Sequence, residues 1–283
     1  MAKLLDGKEA SSKWLEDIKK QASLLQPKPK LVIINSGDDA ASQIYVRNKV
    51  RACKECGVSC ELLHYPASAS TAELLSKIKE LNKDASVSGM IVQLPLPSRV
   101  DVQALQEAIE PLKDADGFTP ENQRLLEEGK PRLVAATPAG VMRLLEHYNL
   151  DVTGKNCVVM GRSKIVGKPL AALLRNAGAK VEVVHSKTEN PASITSKADF
   201  LFIAIGKPRL VGASMVKEGA VVIDIGMNRD ENGKVCGDAD FEEVKKKASC
   251  ITPVPGGVGK MTVASLLANT LKAYKMQNKI QTQ

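Results

Sequence analysis

Apolar positions in the first half of the chain follow two alternating spacings. Leu31 to Asn35, Cys60 to His64 and Ser88 to Gln93 are short, nearly continuous apolar runs, as buried strands require. Ala41 to Cys56, Thr71 to Leu81 and Val102 to Ile109 repeat their apolar positions at helical spacing. Continuous strands separated by helices predict parallel βαβ units, which bind ligands beyond the carboxyl ends of their strands. That rule places Ser36 to Ala41, Gln93 to Pro97 and the loop near Asp116 around one candidate cleft. A second series starts near Thr137 with a helix over Pro138 to Tyr148. Strands follow at Asn156 to Met160, Val181 to Val184, Phe200 to Ile205, Val221 to Ile225 and Cys250 to Thr252. The pattern predicts an α/β protein of two domains, residues 1–138 and 139–259, with a cleft between them. A long amphipathic helix over Val258 to Met276 is expected to pack back across the first domain, with the C-terminal helical segment 260–283 counted with that domain.

The strand ending at Met160 runs into Gly161-Arg162-Ser163-Lys164-Ile165-Val166-Gly167-Lys168-Pro169, and a helical stretch from Leu170 to Asn176 follows. Glycines in such a turn let backbone approach a pyrophosphate, and a helix start offers free N–H groups and a positive dipole end. The spacing is G-x5-G rather than G-x-G-x-x-G, so packing of strand on helix accounts for it equally well. The next strand ends in His185-Ser186-Lys187, where an NAD site usually carries an acid for the ribose 2′-hydroxyl. Those groups, with Arg162, suit a 2′-phosphate. NADP is therefore favoured over NAD.

Charge and cysteine usage narrow the class. The net charge of +8 is spread over scattered lysines without interleaved aromatics, which argues against a nucleic-acid surface and leaves room for an anionic small molecule. No apolar run is long enough to span a bilayer, and the N-terminus lacks a signal-peptide core, so a cytoplasmic protein is expected. Cys53-x-x-Cys56 with Cys60 has no further ligand to complete a metal site, and reduced packing cysteines without metal or disulfide are expected.

Four residues of the first domain could carry chemistry. Tyr45 and Lys49 are spaced i, i+4 on one helix face, a pattern that fits a solvated face as well as a partly desolvated proton shuttle. Gln93 begins Gln-Leu-Pro-Leu-Pro and can either orient a lysine or substrate carbonyl or cap a turn. Asp116 lies in Asp114-Ala115-Asp116-Gly117, where turn formation competes with binding of a planar pair of donors. Pro253 to Gly259 reads as a shaped loop that approaches something closely.

Taken together, these segments resemble the bifunctional methylenetetrahydrofolate dehydrogenase/methenyltetrahydrofolate cyclohydrolase family. The resemblance runs through Gly37 to Val46 with Lys49, Val92 to Pro97, Lys113 to Phe118, Thr137 to Gly140, Gly161 to Pro169, His185 to Thr188 and Ile251 to Thr262. It implies NADP-dependent oxidation of 5,10-methylenetetrahydrofolate to the 5,10-methenyl compound, then hydrolysis to 10-formyltetrahydrofolate. A dehydrogenase-only member is the alternative. By the same resemblance Lys49 is the cyclohydrolase group, Gln93 its partner, Tyr45 a stacking platform for the aminobenzoyl ring, and Asp116 the pterin ligand. Ser42, Leu94, Pro95, Pro255, Gly256 and Gly257 join the implied folate site. Gly161, Arg162, Ser163, Val166, Gly167, His185, Ser186, Ile225 and Thr262 form the implied NADP site. A homodimer through the cofactor domains is also implied, and surplus positive charge could attract a polyglutamylated folate tail. The chain departs from the family pattern at Arg124, Ala136 and Lys260.

Overall fold

The computed structural model describes residues 2–280. The elements in chain order are β1 (Lys3–Leu4), α1 (Gly7–Ser23), β2 (Lys30–Ser36), α2 (Ala40–Cys56), β3 (Ser59–Tyr65), α3 (Thr71–Lys83), β4 (Gly89–Val92) and α4 (Val102–Ala108). They continue with α5 (Pro120–Glu127), α6 (Ala136–His147), β5 (Asn156–Met160), α7 (Gly167–Asn176), β6 (Lys180–Val184), α8 (Pro191–Thr195) and β7 (Phe200–Ile203). The last are β8 (Val221–Asp224), β9 (Asn228–Arg229), β10 (Val235–Cys236), α9 (Phe241–Lys247), β11 (Cys250–Ile251) and α10 (Val258–Gln277). No helix among the described residues is long and apolar enough to cross a membrane.

The chain divides into two compact units, one of Lys13–Ala136 with the stretch from Val263, the other of Thr137–Thr262 with the stretch up to Ser12. In the first, parallel strands lie in the order β3-β2-β4. The run Leu31-Val32-Ile33-Ile34 is fully buried because both faces of β2 are covered. Leu31 and Ile33 pack with Val46 and Cys53 of α2 and Leu267 and Leu271 of α10; Val32 and Ile34 pack with Leu74 and Ile78 of α3 and Leu105 of α4. Such two-sided burial turns the period-2 alternation of a half-buried strand into a continuous apolar run.

The second unit holds a parallel sheet in the order β1-β11-β8-β7-β5-β6. Its strand order reverses at β5, flanked by β6 on one side and β7 on the other, which is where open α/β sheets bind ligands. Two boundaries differ from the 1–138 and 260–283 divisions expected above. Lys3 and Leu4 pair with Cys250 and Ile251, so the first residues belong to the second unit's sheet. The C-terminal helix starts at Val258 and ends at Gln277, closed by Lys279 at φ 53° and an Ile280 N–H to Lys275 carbonyl bond of 2.9 Å. Positions 281–283 of the expected helix lie outside the described residues.

Candidate active site

Helix α2 carries the first set of side chains. Its start is set by the Asp39 carboxylate, which accepts from Ser42 N–H at 2.7 Å, and its end by Gly57 in the left-handed region at φ 73°. With both ends fixed, Ser42, Tyr45 and Lys49 recur at i, i+3 and i+7, along one face. Lys49 Nζ donates to Gln93 Oε1 at 2.9 Å, and Gln93 Nε2 donates to the Leu94 carbonyl at 2.6 Å. The same carbonyl accepts from Ser42 Oγ at 3.2 Å. Gln93 is buried directly after β4, and its backbone N–H is tied to Ile34 O at 2.8 Å. Its amide is therefore oriented by two partners, with the oxygen facing the lysine.

Burial holds the Lys49 ammonium below the usual lysine range, against the opposing pull of Asp116. A desolvated lysine of lowered pKa gives up its proton more readily than one on a solvated helix face. Burial likewise pushes Asp116 up to about 6, with Lys49 drawing it down and Asp114 pushing it up. Burial also raises the half-exposed Tyr45 phenol.

The two aspartates of the turn divide its tasks. Asp114 is buried, and its Oδ2 accepts from Thr119 N–H at 2.7 Å and Asn122 Nδ2 at 3.0 Å. Asn269 of α10 donates to the carbonyls of Ala115 and Val134 at 2.8 and 2.7 Å, bracketing the turn. No hydrogen-bond donor among the described residues reaches the Asp116 carboxylate. Asp114 and Asn269 build the turn, and Asp116 keeps both oxygens for another donor pair.

The second set surrounds a cavity of about 700 Å³ at the carboxyl ends of β5, β6 and β7. Gly161, Arg162, Ser163, His185 and Ser186 line it, as do Thr188 and Lys207, which are not in the NADP site that the resemblance implies. Gly206-Lys207-Pro208 has the glycine that marks a close turn, and its lysine adds a second cation to that of Arg162. The backbone makes the room: Gly161 has φ 118°, and a Cβ there would lie 2.2 Å from Ala204 O. His185 Nδ1 accepts from Lys187 N–H at 3.2 Å, which leaves Nε2 as the ring nitrogen open to a ligand. Cavity size, glycine cradle and cationic rim fit a phosphorylated dinucleotide.

The helix start itself differs from the expectation of free N–H groups. Ser163 Oγ accepts from Val166 and Gly167 N–H at 3.2 and 3.3 Å, and Ser163 O accepts from Lys168 N–H at 3.0 Å. Val166 and Gly167 shape the loop without lining the cavity, and Ile225 and Thr262 do not line it either. Thr262 Oγ1 instead lies 3.1 Å from Thr137 Oγ1.

Pro255, Gly256 and Gly257 belong to the second unit and the Lys49 group to the first. Their close approach is to Gly7, whose N–H donates to Gly256 O at 2.9 Å and whose Cβ position lies 1.9 Å from Gly257 O. Of the departures, Arg124 is paired with Glu121 and Glu128 on α5, Ala136 is buried at the start of α6, and Lys260 is exposed on α10. None displaces a member of the Lys49–Gln93 pair.

A parallel sheet with a dinucleotide-sized crevice, and a separate unit with a desolvated lysine, define a two-part α/β enzyme of nucleotide-dependent chemistry. The chain belongs to the tetrahydrofolate dehydrogenase/cyclohydrolase family: its catalytic-domain pattern matches residues 5–116 and its NAD(P)-binding-domain pattern residues 135–278. It is 52% identical over 277 residues to the bifunctional protein FolD of Campylobacter hominis, covering 96% of this chain and 97% of that one. The crystal structure of the bifunctional FolD methylenetetrahydrofolate dehydrogenase/cyclohydrolase of Campylobacter jejuni superposes with a TM-score of 0.95 at 46% identity, covering 98% and 99% of the two chains. The Trypanosoma brucei enzyme, solved with NADP cofactor and an inhibitor, gives 0.93 at 36% identity, covering 98% and 99%.

Proposed function

We propose that this chain oxidises 5,10-methylenetetrahydrofolate with NADP and hydrolyses the methenyl product to 10-formyltetrahydrofolate. The observation that carries this reading is the hydrogen-bonded Lys49–Gln93 pair beside Asp116, in one chain with the glycine-cradled cavity. NADP bound in that cavity supplies the acceptor for the hydride leaving the folate's methylene carbon. The two flanking nitrogens stabilise the resulting cation, so the protein's task in this step is orientation. Tyr45 offers its ring to the aminobenzoyl group, and Asp116 accepts from the pterin edge. Ser42 shapes the pocket through Leu94, with Pro95 beside it. Pro255, Gly256 and Gly257 complete the folate-binding set.

Hydrolysis needs proton transfer. Water adds to the methenyl carbon and gives up one proton. The carbinol so formed loses its hydroxyl proton as a proton reaches the ring nitrogen and that nitrogen's bond to the carbon breaks, so one proton is released overall. Lys49, oriented by Gln93 and of lowered pKa, performs both transfers. Arg162, His185 and Ser186 discriminate for the 2′-phosphate, within the loop shaped by Gly161, Ser163, Val166 and Gly167, with Ile225 and Thr262 nearby in the sequence pattern. On the same reading the protein is a cytoplasmic homodimer assembled through its nucleotide-binding units.

The test is a comparison of NADP with NAD on the purified chain, following reduced nucleotide and methenyl absorbance together. NADP should give a kcat/KM at least about tenfold higher, the worth of one or two charge-assisted contacts to the 2′-phosphate. Equal efficiency with both nucleotides contradicts the assigned preference.

A pH dependence follows from Asp116. Its carboxyl ionises at about 6 in the folded chain, so acceptance from two pterin donors fails as pH falls through that value. Both folate reactions should lose kcat/KM below about pH 6, and Asp116→Asn should abolish that limb. Because the folded value lies above the ordinary 3.8, this group favours folding most in its neutral form and loses that contribution as pH rises through about 6. Asp116→Asn should therefore be no less stable than the parent at pH 8, which a thermal midpoint checks.

A further inference from the structure

The nucleotide cavity has a wall that no residue of the proposed site holds in place. Ile205 and Lys207 line it, and between them Gly206 turns the chain at φ 73°. The backbone N–H groups of all three point at one side chain. Asp238 Oδ2 accepts from Ile205 at 2.7 Å and Gly206 at 3.0 Å, and Oδ1 accepts from Lys207 at 2.9 Å. Asn228 Nδ2 adds a fourth bond, to Oδ1 at 2.8 Å. Asp238 is fully buried, so these donors replace water around its charge.

Asp238 is itself fixed by a second buried carboxylate. Asp224, at the end of β8, accepts from Gly226 and Asp238 N–H on Oδ1 at 2.9 and 3.1 Å, and from Ala239 N–H on Oδ2 at 2.9 Å. The two acids sit where glycines leave space for them. A Cβ on Gly226 would fall 2.3 Å from Asp238 Cγ, and one on Gly237 would fall 1.9 Å from Asp224 Oδ2. Neither glycine has a left-handed φ, so what they supply is room. A peptide loop is thus tied to a sheet end through a carboxylate with both oxygens engaged, an arrangement that leaves the Ile205–Lys207 backbone little freedom.

We propose that Asp238 is a positioning residue for the nucleotide: its carboxylate sets the Ile205–Lys207 wall, and through it the Lys207 side chain, against the bound cofactor. This rests on the reading of the cavity as the NADP site. Asn at 238 keeps the shape but turns an amide NH₂ toward one pair of N–H donors, so two of the four bonds are lost.

The experiment compares the parent, Asp238→Asn and Asp240→Ala. Initial dehydrogenase rates are measured against NADP at saturating methylenetetrahydrofolate, and hydrolysis of methenyltetrahydrofolate is measured without nucleotide. Asp238→Asn should raise KM for NADP by about tenfold or more, the effect of losing bonds to a charged group, with hydrolysis within about twofold of the parent. Asp240 caps α9, accepting from Glu243 N–H, and its loss should lower the thermal midpoint without moving KM. An unchanged KM in Asp238→Asn, or an equal rise in Asp240→Ala, overturns the positioning role. Should Asp238→Asn fail to fold, Asn228→Ala removes one donor and should raise KM by a few-fold, and an unchanged value there overturns the role as well. A parent chain with no NADP-dependent rate would instead refute the reading of the cavity.

Discussion

Lys49→Met should lower hydrolysis of methenyltetrahydrofolate by roughly 10²–10⁴-fold, the span for removing a positioned acid–base group. Methionine keeps the unbranched apolar stem that lies within the buried part of α2, so the helix and its packing stay in place. Gln93 loses one partner but remains anchored by its own bond to the Leu94 carbonyl. Asp116 loses the neighbouring charge that draws its ionisation down, and so ionises at higher pH than in the parent. NADP affinity should be unaffected, because Lys49 is not among the residues that line the cavity. Stopped-flow decay of methenyl absorbance measures the first effect and nucleotide titration the second. Hydrolysis at the parent's rate would remove Lys49 from the mechanism.

The second large effect is expected at Gly161. At φ 118° an L-residue is strained whatever the space, and here the space is also taken, by Ala204 O at 2.2 Å and Ala204 C at 3.0 Å. Both atoms are backbone, and Ala204 N–H is tied to Met160 O at 2.8 Å, so the strand end cannot retreat without breaking the ladder. Gly161→Ala therefore has to deform the mouth of the cavity. A strain of about 3 kcal/mol placed on nucleotide binding corresponds to a loss of roughly 100-fold in dehydrogenase kcat/KM. With hydrolysis assigned to Lys49 of the other unit, that activity should persist in the same preparation, which also controls for misfolding. Equal loss of both activities would show that the substitution acts on folding alone.

The parts of the fold that could be read from the chain are those whose neighbours lie close in sequence. β2 and its flanking helices announce themselves because burial on both faces leaves a continuous apolar run. Helix α1 was not anticipated: its apolar positions Trp14, Leu15, Ile18 and Ala22 are diluted by lysines, and it opens on a glycine. The two-residue β1 is defined only by its pairing with Cys250 and Ile251, a contact that no local pattern encodes.

The candidate site divides in the same way. Spacing put Tyr45 and Lys49 on one face, but the lowered lysine pKa depends on burial that the fold supplies. Asp114 and Asp116 look alike in a turn-forming stretch, and only the bonds from Thr119 and Asn122 show which of them builds it. The resemblance places Ser163 in the NADP site, and only the structure shows that its hydroxyl also accepts from the helix-start N–H groups. Asp238 gave no local signal, since its partners lie ten and more positions away.

One measurement tests the claim that a single chain performs both steps. The purified protein is given 5,10-methylenetetrahydrofolate and NADP, and NADPH, methenyl compound and 10-formyltetrahydrofolate are quantified over time. NADPH and 10-formyltetrahydrofolate should rise in equal amounts, with methenyl compound never exceeding a small fraction of either. Accumulation of methenyl compound equal to the NADPH formed, decaying no faster than it does without protein, would contradict the account and leave a dehydrogenase alone.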